Sequence, residues 1–303
     1  METKKAKMVV IVLALALLHL LPLSAKSQDE PRIPISSVPY TISSSESYYL
    51  TKNLQTTSGS QNAITVNADN VTIDLMGFSL IGRGSGTGRG IYMNGRSNVE
   101  IRNGTVRNFG REGIYEASVD DGDGHRVISV RALFNGGAGI KLSDPNNLVR
   151  DCTTLANGND GIYVGPVSMV TNNISSDNGD DGIELDIGCM ASGNVISYNK
   201  WHGIWTFFGC AVFDNVSYEN GRGIVIQNDG NFVKDNTLRR NVLSNIYVKG
   251  TDNIIEANSV TSSGYGIYFE GCGNFYAYNR AADNTDDYYN IGCQTDGGGN
   301  VSF

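Results

Sequence analysis

Between Asn178 and Cys189 the sequence reads NGDDGIELDIGC and packs four carboxylates, Asp180, Asp181, Glu184 and Asp186, into seven positions. Asp160 ahead of this cluster and His202 beyond it are spaced evenly about Asp181. Crowded carboxylates raise one another's proton affinity, so one can remain an acid while its neighbour serves as a base. Read this way, Asp160, Asp180, Asp181 and His202 are candidate catalytic residues. Oxygen donors at Asp181, Glu184 and Asp186 equally suit calcium, a hard cation. Both chemistries require residues far apart in sequence to be neighbours in space.

A repeat supplies that proximity. Isoleucine, usually after glycine, recurs at Ile91, Ile114, Ile140, Ile162, Ile183, Ile204, Ile224, Ile246, Ile267 and Ile291, and Ile64 and Ile42 continue the series backwards. The shortest step is from Ile204 to Ile224 and the longest from Ile64 to Ile91. Asp160, Asp181 and His202 are separated by the same interval as Ile162, Ile183 and Ile204. Each unit alternates apolar and polar residues over short runs such as Ile162-Tyr163-Val164, which is strand-like, and no stretch after Ser27 holds helical periodicity. Repeats of this length built from short strands predict an all-β chain, a single-stranded parallel β-helix of about 12 coils in which each repeat is one turn.

Asparagine columns fit the same coil. One is Asn103, Asn173, Asn194, Asn215, Asn236, Asn258 and Asn279; a second is Asn108, Asn135, Asn157, Asn178, Asn199, Asn220, Asn241 and Asn284. Stacked ~4.8 Å apart, their carboxamides are expected to bond from coil to coil. The cysteines also fall into register. Cys189 and Cys210, and Cys272 and Cys293, each follow a glycine and lie one repeat apart, which predicts Cys189–Cys210 and Cys272–Cys293 disulfides within one turn column. Cys152 is left as a buried thiol, and no zinc-ligand spacing occurs.

Residues that follow each isoleucine face outward. That column reads Tyr92, Tyr115, Lys141, Tyr163, Glu184, Trp205, Val225, Tyr247 and Tyr268. Aromatic rings on a long shallow face suit the apolar faces of sugar rings. Tyr115, Lys141, Tyr163, Glu184, Trp205, Tyr247 and Tyr268, with Arg222 beside them, are therefore candidate substrate-binding residues. Asp160, Asp181 and His202 occupy the column two positions before the isoleucine.

Nearly the whole of residues 28–303 resembles the right-handed parallel β-helix repeat proteins of the pectate-lyase-like superfold, on its Gly-Ile repeats and Asn columns and on opening coils such as Asn70-Val71-Thr72-Ile73-Asp74-Leu75. Three motifs also resemble the active-site pattern of the polygalacturonase family, which are inverting glycoside hydrolases: Asn159-Asp160-Gly161, Gly179-Asp180-Asp181 and Trp201-His202-Gly203. The resemblance implies Asp180 as general acid, Asp160 and Asp181 as the groups that hold and deprotonate the attacking water, and His202 as the residue that tunes the acid. The family's Arg-x-Lys substrate clamp falls here at Val225 and Gln227, neither of them basic.

The segment from Met1 to Ser27 has a basic start, an apolar run from Met8 to Leu23 and small residues at Ala25-Lys26-Ser27, the layout of a secretory signal peptide. Its removal takes away four lysines and one glutamate, moving the net charge from −8 to −11. Such a surface repels nucleic acid, and no second apolar run points to a membrane. The expectation is a secreted, periplasmic or cell-surface protein with a polysaccharide partner and with no cofactor, or calcium alone. Beside hydrolysis stand a calcium-dependent polysaccharide lyase, a non-catalytic structural or cell-surface β-helix, and a periplasmic copper-maturation accessory, which the scarcity of His and Met disfavours. Strand-like residues up to Phe303 leave an edge for end-to-end self-association.

Overall fold

The structure is a computed structural model that describes residues 32–117 and 122–303. The expected signal peptide lies outside the described residues, as do Asp120 and Asp121. Among the described residues there are 35 short strands and no helix, and none could cross a membrane as a helix. Twelve strands, from Tyr40–Ile42 to Asp286–Tyr289, stack into one sheet, and another 23 form a second sheet that closes the coil. Strands pair in parallel across successive repeats, as in Ile162↔Ile183 and Ile183↔Ile204. This is a parallel β-helix of about twelve turns, as the repeat predicted.

Alternation along each strand drives the closure. Every isoleucine from Ile64 to Ile267 in the paired column is fully buried, and burying each contributes about 1.5–3 kcal/mol. The ends of the series differ from the sequence reading. Ile64 pairs with Tyr40, not with Ile42. At the other end Tyr288 pairs with Ile267, and Ile291 is exposed. Tyrosine can take this site because its ring packs against the core while its hydroxyl donates to the Asn279 carbonyl at 2.8 Å.

Carboxamides join the coils at three turns. In one ladder Asn194 Oδ1 accepts from both the backbone N–H and the Nδ2 of Asn173, and Asn194 Nδ2 donates to Val170 O and to Asn215 Oδ1, all within 2.9–3.0 Å. Cys152 fills the position below Asn173, and Asn300 extends the ladder above Asn279. A second ladder runs from Asn135 to Asn241. Asn103 and Asn108 belong to neither. Both have left-handed backbone, at φ 57° and 60°, a conformation asparagine tolerates better than most residues. In their coil Gly104, paired with Val130 of the next coil, and Phe109, whose N–H donates to Asn135 Oδ1, stand at the two ladder slots.

A third ladder was not foreseen: Asn147, Ser168, Cys189, Cys210, Asn231, Asn253, Asn274 and Gln294. It separates the two cysteine pairs. Cys272 and Cys293 sit outside the ladder and are bonded, with Cα atoms 5.2 Å apart. Cys189 and Cys210 are free buried thiols, contrary to the expected second disulfide. Their sulfurs serve the ladder instead: Cys189 Sγ accepts from Ser168 N, and the two thiols donate to the Gly165 and Asp186 carbonyls.

One inward position is acidic. Glu116 stands between Met93 and Leu142 in a core column and is fully buried. Its Oε2 accepts from Ser143 N and Asp144 N, at 2.8 and 2.9 Å. Burial and the adjacent Asp144 carboxyl push its pKa from 4.5 to about 8. The folded state therefore holds a proton that the unfolded chain releases, and stability falls as pH rises from about 4.5 to about 8. Glu116→Gln keeps the acceptor and supplies a fixed donor, so it should melt higher than the parent at pH 9 and equally at pH 4. Thermal melts across that range test this, and a constant difference at all pH values would refute it.

The ladder makes a second prediction. Asn215→Ala strands the bonded groups of Asn194 and Asn236 and should destabilise the fold by about 3 kcal/mol, whereas Asn103→Ala, at an exposed site, should lose only the roughly 1 kcal/mol that alanine costs in a left-handed bend. Denaturant unfolding measures both, and similar losses would remove the ladder's special role.

Candidate functional site

The acidic motif lies on strand Ile183–Leu185 and the turn before it, with Ile162–Val164 on one side and His202–Thr206 on the other. Gly182 forms the bend between Asp181 and the inward Ile183. A Cβ there would come within 2.3 Å of Ile196 Cγ2 in the core, so only glycine lets the turn lie this close. The register confirms the outward column: Tyr92↔Tyr115↔Lys141↔Tyr163↔Glu184↔Trp205↔Val225↔Tyr247↔Tyr268.

Asp160, Asp181 and His202 come together as the spacing predicted. Asp160 Oδ1 accepts from Asp181 N at 3.3 Å, and Asp181 Oδ1 accepts from His202 N at 2.9 Å. The imidazole Nδ1 of His202 lies 2.7 Å from the same Asp181 oxygen. His202 thus bonds Asp181, while it reaches Asp180 only through its electrostatic field. Glu184, expected to contact substrate, joins the acids: one oxygen each from Asp160, Asp181 and Glu184 lie within 4.8 Å of one another. Asp160 and not Asp186 completes the trio. Asp186 turns back on its own strand end, where Oδ1 accepts from Ile187 N at 2.7 Å.

Burial and mutual repulsion set the protonation of these groups. Burial first, then the fields of Asp160 and Asp181, push the Glu184 carboxyl from 4.5 to about 8. Burial with the charges of Asp180 and Asp181 raises Asp160 to about 6. Burial and Asp181 also raise Asp180. Lys141 opposes the rise at both Asp160 and Glu184, and its ammonium sits over the Tyr163 ring at 4.4 Å. The Tyr163 hydroxyl is itself pushed up to about 12 by burial and by the carboxylates. The site therefore favours a proton on Glu184 beside the hydrogen-bonded Asp181 and His202.

Beside the trio lies a groove of about 280 Å³, lined by Tyr163, Glu184, Asp186, Trp205 and Phe207. Phe207 was missed in the sequence. It packs 5.5 Å from Trp205, and its only sequence signal was a second outward aromatic two positions after Trp205. The rest of the expected stripe divides. Tyr115 stacks on Tyr92 at 6.0 Å beneath the Arg89 guanidinium, one coil below Lys141. Val225 is buried and interrupts the column. Beyond it Arg222 lies over Tyr247 at 4.5 Å, and Tyr247 meets Tyr268 at 5.1 Å.

The unusual proton on Glu184 can be read directly. In a carboxyl-carbon NMR titration Glu184 should titrate near pH 8, lower in Asp160→Asn and higher in Lys141→Met. A Glu184 signal that titrates near 4.5 in the parent protein would contradict the electrostatic account.

A family model described as a right-handed β-helix region matches residues 89–231, and another, described as a periplasmic copper-binding protein (NosD), matches residues 207–303. Residues 207–303 contain no His and no Met. Of their three cysteines, Cys210 serves a ladder and Cys272 is bonded to Cys293. The soft donors and imidazoles that hold copper are thus lacking there, and the residues do not fit that ion. No curated protein matches the sequence. Among solved structures, the A-module of the Azotobacter vinelandii mannuronan C-5 epimerase AlgE4 is 14% identical, with 85% of this chain and 87% of that one covered at TM-score 0.64. A Streptomyces thermodiastaticus α-1,3-glucanase catalytic unit is 16% identical over 89% of this chain and 62% of that one, at TM-score 0.56. A Thermotoga maritima exopolygalacturonase is 10% identical over 89% and 83%, at TM-score 0.52. Stacked parallel coils, a matching β-helix region and these shared backbones make the chain a right-handed parallel β-helix protein.

Proposed function

We propose that the protein is exported and cleaves a polysaccharide on the outer face of its twelve-stranded sheet, at Asp160, Asp181, Glu184 and His202. The observation that carries this reading is the Glu184 carboxyl at the edge of an aromatic groove, one oxygen within 4.8 Å of two further carboxyl oxygens, where burial and those neighbours push its pKa to about 8. Tyr163, Trp205 and Phe207 hold a sugar ring by its apolar face. Glu184 gives its proton to the glycosidic oxygen as that oxygen's bond to the sugar carbon breaks, Asp181, oriented by His202, bonds to that carbon, and water then displaces Asp181 while giving a proton back to Glu184. Lys141 limits the rise at Glu184, so the acid still releases its proton readily. The solved structures named above, an epimerase, a glucanase and an exopolygalacturonase, support a glycan partner at the level of the fold.

The assignment differs from that implied by the polygalacturonase motifs. Asp180 lacks the His202 bond, and Glu184 is the carboxyl raised furthest among them. The spacing differs too. Inverting pairs stand ~6.5–9.5 Å apart to admit water, and retaining pairs ~5–5.5 Å. A trio within 4.8 Å favours retention.

A second reading rests on that same spacing. Calcium takes oxygens at ~2.3–2.6 Å, so three oxygens within 4.8 Å of one another fit around a single ion. Asp160, Asp181 and Glu184 would hold it, and the ion would offset their repulsion and draw a substrate carboxylate. On this reading calcium competes with the Glu184 proton.

Incubation with a panel of acidic and neutral polysaccharides, with calcium or with chelator, separates the readings. Hydrolysis predicts new reducing ends of retained anomeric configuration, insensitive to chelator and reduced ~10²-fold or more in Glu184→Gln. Calcium-dependent ultraviolet absorbance from unsaturated ends would assign the site to lyase chemistry. If no polymer is cleaved under any condition, the proposal fails.

A further inference from the structure

A second feature flanks the acids on the side away from Trp205. The turn leading into each strand of the twelve-stranded sheet mostly carries small or polar residues, as in Gly158-Asn159, Gly179-Asp180 and Ser263-Gly264. Two coils depart from this. Lys200-Trp201 and Val242-Leu243 place large apolar side chains in the open, with Trp201 54%, Val242 71% and Leu243 50% exposed.

The coil between them is cut short. Two residues separate ladder Asn199 from His202, and two separate Asn241 from Ser244, but Gly221 alone separates Asn220 from Arg222. This deletion is why the step from Ile204 to Ile224 is the shortest in the repeat. Gly221 admits no side chain, since a Cβ would lie 2.2 Å from the Trp201 carbonyl oxygen. Leu243 N donates to Gly221 O at 2.9 Å, which keeps the three turns stacked in order. Coils are spaced ~4.8 Å apart, so Trp201 and Leu243 flank a recessed glycine floor across ~10 Å. The slot has a volume of about 350 Å³ and is bordered by His202 and Arg222. The Arg222 guanidinium at the slot's border lies over the Tyr247 ring at 4.5 Å.

We propose that this slot is a second sugar subsite, for a pyranose residue of gluco configuration in the same glycan chain. The inference rests on the glycan reading of the site and extends it. A ring inserted between an indole and a leucine must present C–H groups on both faces and its hydroxyls at the rim. Only a ring with equatorial hydroxyls does so. An axial hydroxyl would point into an apolar wall and lose its hydrogen bonds. The slot and the aromatic groove lie on opposite sides of the acids and share no residue, and His202 joins the slot to Asp181. Strands advance ~3.3 Å per residue, so Trp201 and Phe207 are ~20 Å apart. The slot centres on the coil of Gly221 and the groove on that of Glu184, two coils or ~10 Å apart along the axis, so a bound chain runs obliquely across the coils' outer face from slot to groove.

The chain has two tryptophans, Trp201 and Trp205, one in each depression. Their indole N–H resonances report the two sites separately in nitrogen–proton NMR of the full chain. Titration with methyl β-D-glucopyranoside should shift the Trp201 signal at ~10-fold lower concentration than the galacto and manno epimers, whose 4- or 2-hydroxyl is axial. Leu243→Asp should weaken the glucoside response ~10-fold while the Trp205 signal responds as before. A Trp201 signal that ignores all three glycosides, while Trp205 responds to the polymers cleaved at the acids, would overturn the slot and leave the glycan reading standing. Equal Trp201 responses to the three epimers would overturn its stereochemical preference. Silence of both tryptophans toward every glycoside and polymer would remove the slot together with the reading beneath it.

Discussion

The architecture depends on holding left-handed backbone bends open at the corners of each coil. The residue before a ladder position is repeatedly at positive φ although it is not glycine: Asn172, Asp177, Tyr198, Asp214, Glu219, Asp235 and Arg240. Such bends cost roughly 1–2 kcal/mol each. The asparagine that follows offsets this. Its oxygen accepts two hydrogen bonds from the coil below, and its nitrogen donates to a carbonyl there and to the asparagine above. Because each bend is bonded to the next, the length of the coil is locked, and columns of side chains stay in line over many turns.

That alignment gives three adjacent coils the power to build a site. Elsewhere in the column two positions before the isoleucine, charges neutralise one another, as Arg89 does with Glu112 at 2.6 Å. At Asp160 and Asp181 like charges follow each other, and Glu184 adds a third carboxyl from the neighbouring column. A rigid sheet cannot relax by moving the coils apart. The repulsion is relieved by protonation, by His202 and by Lys141, the groups that set proton affinities at an acid–base centre. The inward Glu116 shows the same physics without access to substrate: buried against Asp144, it keeps its proton and faces the core.

Much of this was legible in the sequence, for identifiable reasons. The Gly-Ile repeat is readable because a closed tube demands the same apolar residue at the same place in every turn, and the even spacing of Asp160, Asp181 and His202 follows from it. At the ends, where the tube is less enclosed, the rule loosens and Tyr288 takes the place that the series assigned to Ile291. Asn103 and Asn108 misled because asparagine suits both the ladder and the left-handed bend beside it. Glycine-cysteine pairs misled similarly, since Cys189 and Cys210 lie in a ladder and Cys272 lies two positions before one. The bond of His202 to Asp181, and the approach of Glu184 to both aspartates, depend on side-chain direction that spacing does not encode. The slot at Gly221 was visible only as one short step in the repeat.

The central claim is that a glycan is processed on this face by Glu184 and Asp181. A crystal structure of Glu184→Gln soaked with an oligosaccharide from a polymer that the parent protein degrades tests it most directly. The account predicts a sugar ring against Trp205 and Phe207, with a glycosidic oxygen within hydrogen-bond reach of residue 184 and the adjoining sugar carbon facing Asp181. An oligosaccharide bound on the 23-stranded sheet, or along the Tyr247–Tyr268 surface with its linkages remote from the acids, would contradict it.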